Sequence, residues 1–127
     1  MFDHVELPVA DREASKAFYA TVLDPLGIPL SEGEWVEFGA LCLVERPPRE
    51  RLHIAFVAES TAEVDAFHRA GVEAGYRDNG APGIRERYAP DYYAAFLLDP
   101  DGHNVEAVYR PPERRKGWTW LGRGVVA

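Results

Sequence analysis

The chain has 127 residues, of which 46% are hydrophobic, and this size and composition fit one compact domain. The formal net charge is −7; residues 110–127 hold five basic groups and one acidic group, so removing their +4 leaves about −11 on residues 1–109. A body this acidic repels phosphate backbones, so we expect no nucleic-acid partner. Cys42 is the only cysteine, and the sequence has neither a basic-then-apolar leader nor an apolar run of the about 18 residues that a membrane span needs. We therefore expect a soluble, cytoplasmic protein without a membrane partner.

The opening residues predict a strand followed by a helix. The segment HVELPV, residues 4–9, alternates polar and apolar residues and places His4 and Glu6 on one face of a strand. Asp11 is a candidate helix N-cap, and apolar residues then recur at helical spacing from Ala14 to Val22. The Asp-Pro pair and the glycine that follow end this pattern.

A second strand and helix repeat this opening further along the chain. The segment LHIAFVAES, residues 52–60, again alternates, and it carries a histidine at the equivalent place. His4 and His53 are 49 residues apart, and so are Phe18 and Phe67 in the two predicted helices. Because chance rarely produces the same offset in a strand and a helix together, the sequence predicts two similar modules.

Three shorter strand-like stretches follow each opening, so both halves predict the order β-α-β-β-β. We expect a first module at 1–48, a second at 49–110 and a solvated C-terminal tail at 111–127. The segment RDNGAPGIRERYAPD, residues 77–91, is rich in Gly and Pro and predicts a long loop. The predicted fold class is α+β: two βαβββ modules in tandem that form a cupped mixed sheet with the helices outside, as one compact domain.

Glu106 lies inside an otherwise apolar predicted strand of the segment LLDPDGHNVEAVY, residues 97–109. A buried glutamate costs several kcal/mol unless it has a proton, a partner or a metal. One interpretation is that His4, His53 and Glu106 converge on a divalent metal and leave coordination positions open. The other is that an arginine, such as Arg85 or Arg87, pairs with Glu106, and that the histidines are half-buried strand residues.

Several other side chains are weaker candidates for catalysis. His103 is either a general base near the metal or a residue of the hairpin turn, since it directly follows a turn glycine. Tyr92 and Tyr93 either supply a phenol as an acid or pack in a strand. Cys42 is either a soft ligand or a small buried hydrophobe.

The segment 77–91 also contains candidate substrate-binding residues. Arg85 and Arg87 either orient an anionic substrate through bidentate hydrogen bonds or form ion pairs with neighbouring acidic groups. Tyr88 either lines a cavity or packs against the sheet.

The segments FDHVELPVADREASKAFYATVLDPLGI and YYAAFLLDPDGHNVEAVY resemble the first strand-helix unit and the terminal hairpin of the vicinal oxygen chelate superfamily. This superfamily includes glyoxalase I, bleomycin-resistance proteins, fosfomycin-resistance enzymes and extradiol dioxygenases, and the resemblance covers residues 2 to about 109. It implies that His4, His53 and Glu106 are metal ligands and that the protein is a homodimer. Within the superfamily the chain looks most like a small bacterial branch without an assigned reaction.

The resemblance departs from glyoxalase I at its fourth metal ligand, a glutamate on the last strand of the first module. The matching stretch here is ALCLVERPP, which places Cys42 or Leu43 at that position, with Glu45 nearby but displaced. A glyoxalase-type octahedral site is therefore not expected, whereas the three-ligand sites of the dioxygenase or fosfomycin-resistance type remain compatible.

The functional hypothesis is a metal-dependent enzyme that acts on a small oxygen-bearing molecule chelated to Fe(II), Mn(II), Zn(II) or Ni(II). The reaction stays open among ring-opening oxygenation, isomerisation and addition to an epoxide, as does assembly of the site in one chain or across a dimer. The alternative is a metal-free sequestration protein of the bleomycin-resistance type that binds a cationic or aromatic compound, with the acidic body favouring a cation.

Overall fold

The computed structural model describes residues 2–114 and consists of two four-stranded sheets, each with one long helix. The first module contains β1 (Val5–Val9), α1 (Arg12–Leu23), β2 (Leu30–Glu32), β3 (Val36–Phe38) and β4 (Leu41–Glu45). The second contains β5 (His53–Val57), α2 (Thr61–Glu73), β6 (Arg77–Ile84), β7 (Tyr93–Leu98) and β8 (Asn104–Tyr109). Short 3-10 helices lie at Asp24–Leu26 and Pro112–Arg114. The predicted βαβββ repeat is confirmed.

The two sheets have the same topology. Their strand orders are β1-β4-β3-β2 and β5-β8-β7-β6, with β1 parallel to β4 and β5 parallel to β8, while the other pairs are antiparallel. Glu6 pairs with Cys42 in the first sheet, and Ala55 pairs with Glu106 in the second. Because Glu6 and Ala55 are 49 residues apart, Cys42 and Glu106 occupy equivalent places in the two modules.

Side-chain caps begin both helices. Asp11 accepts a hydrogen bond from the backbone N–H of Ala14, and Ser60 accepts one from that of Glu63. These bonds satisfy N–H groups that have no partner inside a helix. The start of each helix is thus fixed by a residue that directly follows a strand or a short turn.

One apolar core joins the modules. It is formed by the helix-facing side chains of both sheets and by both helices, which pack against each other. The largest fully buried apolar side chains come from both halves and include Phe18, Tyr19, Phe38, Phe67 and Leu97. The opposite face of each sheet is thereby left for the candidate site.

The predicted loop at 77–91 is wrong in its first half. Residues Arg77–Ile84 form the edge strand β6, whose pairing with β7 shifts register between Asp78 and Gly80 and again between Gly80 and Gly83. An edge strand with bulges tolerates Gly and Pro because it need not donate every backbone hydrogen bond. The residues of the expected C-terminal tail from 115 to 127 lie outside the described residues.

No helix among residues 2–114 has the length and apolar character needed to cross a bilayer.

Candidate functional site

Glu106 and His53 form a close pair on the face of the second sheet that points away from the helices. Glu106 is only 1% exposed, whereas the His53 side chain is 53% exposed. Nε2 of His53 lies 2.6 Å from Oε1 of Glu106, a hydrogen-bonding distance at which the carboxylate accepts. We call the surface formed by His53, Phe96 and Glu106, together with Tyr92, the site face.

The second oxygen of Glu106 is also partnered. The Tyr92 hydroxyl donates to Oε2 of Glu106 at 2.5 Å. Burial, followed by this hydrogen bond, raises the pKa of Tyr92 well above its usual range, so the phenol remains a donor at neutral pH. Among residues 2–114, no arginine forms an ion pair with Glu106. The partners of this buried carboxylate are therefore an imidazole and a phenol.

Aromatic rings and guanidinium groups alternate around this pair. The guanidinium carbon of Arg85 lies 5.2 Å from the centre of the Phe96 ring, that of Arg87 lies 4.9 Å from the Tyr88 ring, and that of Arg110 lies 5.5 Å from the Tyr92 ring. The rings of Tyr88 and Tyr92 are 5.0 Å apart. Three guanidinium groups therefore accompany the aromatic rings near this pair, on a molecule that is acidic as a whole.

His4 is not brought to this pair within one chain. It lies just before β1 in the first sheet, where Nδ1 is 2.9 Å from Oδ1 of Asp3, and its side chain is 52% exposed. The hydrogen bond to Asp3 raises the pKa of His4. Among residues 2–114, His4, His53 and Glu106 are not a cluster whose ligand atoms lie within 4.8 Å of one another.

A cluster of three residues of metal-binding types does occur at the turn before β8, formed by Asp99, Asp101 and His103. Its atoms are already engaged with the protein. Asp99 accepts from the Tyr19 hydroxyl and from the backbone N–H groups of Asp101 and His103, and Asp101 accepts from the backbone N–H of Ala10. Both ring nitrogens of His103 contact backbone groups. This cluster is a structural turn.

Tyr93 lies on the other face of the second sheet from Tyr92. Its hydroxyl donates to Oδ1 of Asp65 on α2 at 2.6 Å, and this hydrogen bond raises its pKa. Adjacent residues on a strand point to opposite faces, so only Tyr92 of the two contacts Glu106.

Cys42 occupies the place in the first sheet that Glu106 occupies in the second. It is flanked in register by Glu6 on β1 and Glu37 on β3. Burial raises the pKa of the Cys42 thiol, and the two glutamates raise it further. The first sheet therefore presents a neutral thiol where the second presents a carboxylate.

Sequence reasoning missed Phe96 and Arg110. Phe96 on β7 is opposite Glu106 on β8 in the antiparallel hairpin. Pairing the residues of the two strands in order, starting at the Asp-Pro-Asp-Gly turn, would have predicted this contact. Arg110 continues the alternation of Glu106 and Val108, so the period of two residues would have placed it on the same face.

The fold and the site together define a two-module α+β protein with an imidazole–carboxylate pair on one open sheet face. The family model of the Glyoxalase/Bleomycin resistance protein/Dioxygenase superfamily matches residues 1–107, and the chain belongs to this superfamily. The resemblance found in the sequence is confirmed. No curated protein matches the chain.

Solved structures with the same fold agree with this assignment. A glyoxalase/bleomycin resistance protein from Albidiferax ferrireducens T118 is 32% identical, with a TM-score of 0.69 over 86% of this chain and 98% of that one. A putative glyoxalase from Bacillus halodurans is 26% identical, with a TM-score of 0.66 over 87% and 96%. A fosfomycin resistance protein from Listeria monocytogenes, 19% identical with a TM-score of 0.68 over 89% and 95%, shares the fold.

Proposed function

We propose that the chain is a metal-dependent enzyme acting on a small oxygen-bearing organic molecule. The observation that carries this proposal is the buried Glu106 carboxylate, whose Oε1 lies 2.6 Å from Nε2 of the half-exposed His53. These two potential ligand atoms are close together, and His53 is reachable from solvent. A small movement of the two side chains apart would let one cation bind between them. A structural ion pair alone does not require the imidazole to lie open.

The donor types fit a divalent first-row metal. Imidazole nitrogen suits zinc, iron and nickel, and carboxylate oxygen suits manganese, so Fe(II), Mn(II), Zn(II) and Ni(II) are all compatible. The bound metal would act as a Lewis acid towards adjacent oxygens of the substrate. Tyr92 donates to Oε2 of Glu106 and so orients the carboxylate with Oε1 towards His53.

The third ligand that we propose is His4 of a second copy of the chain. Within one chain both helices and the shared core lie on one side of each sheet, while His4 and His53 belong to the other side of their respective sheets. A second copy can bring a first-sheet face opposite a second-sheet face without disturbing this core. A two-fold homodimer would contain two such sites.

The direct test is metal content. The protein, purified without a polyhistidine tag or a chelator, should contain close to one divalent metal per chain by elemental analysis. Glu106→Gln should lose most of it, whereas Glu34→Gln, an exposed control, should retain it. A wild-type protein that is empty and takes up none of the four metals would overturn the proposal and favour metal-free binding of a small molecule.

A further inference from the structure

Arg85 is held in one position on the site face. Its backbone N–H donates to the carbonyl of Tyr92 at 2.8 Å, which aligns the residue with the site-face side of β7. Its guanidinium donates through Nη1 to the carbonyl of Gly83 at 3.0 Å and through Nη2 to that of Ala81 at 2.6 Å. The same group lies over the Phe96 ring. An arginine fixed in this way has already lost the rotamer freedom that binding would otherwise cost.

Two glycines of β6 make room for this arrangement. A Cβ atom on Gly80 would lie 2.8 Å from Cδ1 of Phe96 and 3.2 Å from Nη2 of Arg85, and one on Gly83 would lie 3.3 Å from Nη1 of Arg85. Gly80 also has a φ of +154°, which L side chains rarely adopt. The Gly- and Pro-rich sequence of this edge strand therefore forms a cradle for the guanidinium and the ring.

The half-buried Arg85 forms no ion pair among residues 2–114, the part of the chain that the structure describes. The two carbonyls use two of its five N–H donors, which leaves donors for an incoming group. Arg46 and Arg114, in contrast, each contact a carboxylate. A fixed cation without a counter-ion, over an aromatic ring, is the arrangement expected for a ligand carboxylate.

The anchor is close to the proposed metal ligands. The Phe96 ring lies 5.2 Å from the guanidinium carbon of Arg85 and 6.1 Å from the His53 ring, so the guanidinium and the imidazole are at most about 11 Å apart. A benzene ring with one substituent at each end spans much of this distance. One molecule can therefore reach both groups across Phe96.

We propose that the ligand is a small planar carboxylic acid, whose carboxylate binds Arg85, whose flat body lies along Phe96 and Tyr92, and whose far end reaches His53 and Glu106. This inference rests on the proposed function for the role of the far end, where adjacent oxygens would meet the metal. It reverses the expectation of a cationic ligand drawn from net charge, because Arg85 places a guanidinium over the Phe96 ring and Arg110 places one over the Tyr92 ring, the two rings along which the ligand would lie.

Isothermal titration calorimetry with three ligands of matched size tests the charge preference on the wild-type protein itself. Benzoate should bind at least ten-fold more tightly than benzyl alcohol, and benzamidine should bind most weakly. Arg85→Met should weaken benzoate at least ten-fold, whereas Arg77→Met, at an exposed arginine of the same strand, should leave it unchanged. Absence of benzoate binding, tighter binding of benzamidine, or equal binding by Arg85→Met would each overturn the proposal.

Two measurements separate this inference from the metal proposal. Wild-type protein stripped of metal with a chelator should retain benzoate binding, while Arg85→Met should lose benzoate binding and retain metal. If the protein binds no metal but still binds benzoate through Arg85, the metal-dependent enzyme is overturned and the carboxylate-binding role of Arg85 stands. If metal binds and Arg85→Met binds benzoate as tightly as wild type, only the proposed role of Arg85 is overturned.

Discussion

The Nδ1 atom of His103 accepts a hydrogen bond from the backbone N–H of Leu52 at 2.9 Å. Its Nε2 lies 3.3 Å from the carbonyl oxygen of Pro8 on β1, which makes Nε2 the donor and fixes the tautomer. His103 is fully buried and precedes β8. One imidazole therefore connects the first strand of module one, the segment that enters β5, and the last hairpin of module two.

We expect His103→Ala to destabilise the protein by about 2–4 kcal/mol, because it removes the part-buried hydrogen bonds to the Leu52 N–H and the Pro8 carbonyl and opens a cavity at a fully buried side chain. Urea unfolding followed by circular dichroism measures this loss. His68→Ala is the comparison, since the hydrogen bond of this half-buried histidine goes to the exposed side chain of Asp78, and its loss should be clearly smaller than that of His103→Ala. Equal losses in the two variants would contradict the bridging role.

Tyr19 should make stability depend on alkaline pH. Burial, and then the neighbouring Asp99, raises the pKa of this phenol well above the usual value of 10.0. Above pH 10 the unfolded chain loses the phenol proton while the folded chain keeps it, so stability should fall with pH by up to about 1.4 kcal/mol per unit. Unfolding curves between pH 9 and about 11 should be flatter for Tyr19→Phe than for wild type. The exposed Tyr88→Phe control should follow the wild-type slope.

Gly71 sets the approach of α2 to its neighbours. A Cβ atom there would overlap Cδ1 of the fully buried Leu97 and lie 3.3 Å from Cγ1 of Val22. Gly71→Ala should therefore lose about 1–2 kcal/mol, because overpacking exceeds the gain of about 1 kcal/mol in helix propensity. Thermal melts followed by circular dichroism measure this loss, and Gly33→Ala, where no atom lies within 4 Å, should be close to neutral in them. A stabilised Gly71→Ala protein would show that the helices can move apart freely.

Tyr92 should control metal affinity without being a ligand. Tyr92→Phe removes the hydrogen bond to Oε2 of Glu106, and loss of such a partner typically weakens metal binding 10–100-fold. Competition with a chromogenic chelator measures the affinity without any assay of activity. Tyr93→Phe changes the adjacent residue on the opposite face, so its affinity should equal that of wild type. An unchanged affinity in Tyr92→Phe would leave the phenol as a packing group.

Mixing two variants that do not bind metal tests whether the site is formed by two subunits of a dimer. His4→Ala and Glu106→Gln should each bind little metal alone, because each removes a ligand from both sites. After subunit exchange, every mixed dimer should recover one complete site, and sedimentation equilibrium should confirm the dimer. If both variants are dimeric and exchange but recover no metal, His4 and Glu106 do not share a site.

The order of elements was predictable because each depends on a local pattern. The alternation around His4 and His53 and the shared offset of 49 residues located the strands, the helices and the equivalence of the modules. The packing of the modules was not predictable, because it depends on distant contacts such as that of Gly71 with Leu97. For the same reason the sequence left open whether His4 faces Glu106 in one chain.

The candidate site was predicted in outline and missed in its detailed contacts. The isolated carboxylate of Glu106 in an apolar strand indicated a special environment, and His53 was identified from the repeat. Predicting Tyr92 as the partner of Glu106 required the exact register of β7. A shift of one residue would place Tyr93, and not Tyr92, on the face of Glu106. The cradle of Arg85 was hidden because Gly and Pro in residues 77–91 predicted a loop where an edge strand forms.

The equivalence of Cys42 and Glu106 makes the tandem repeat chemically unequal at matching places. If the two sheets came from two copies of one single-module chain, any substitution there would change both sheets at once. Here the two places are separate residues of one chain, so the neutral thiol of the first sheet and the carboxylate of the second can change independently during evolution. Two modules in one polypeptide thus allow the second sheet to keep Glu106 while the equivalent place of the first sheet changes.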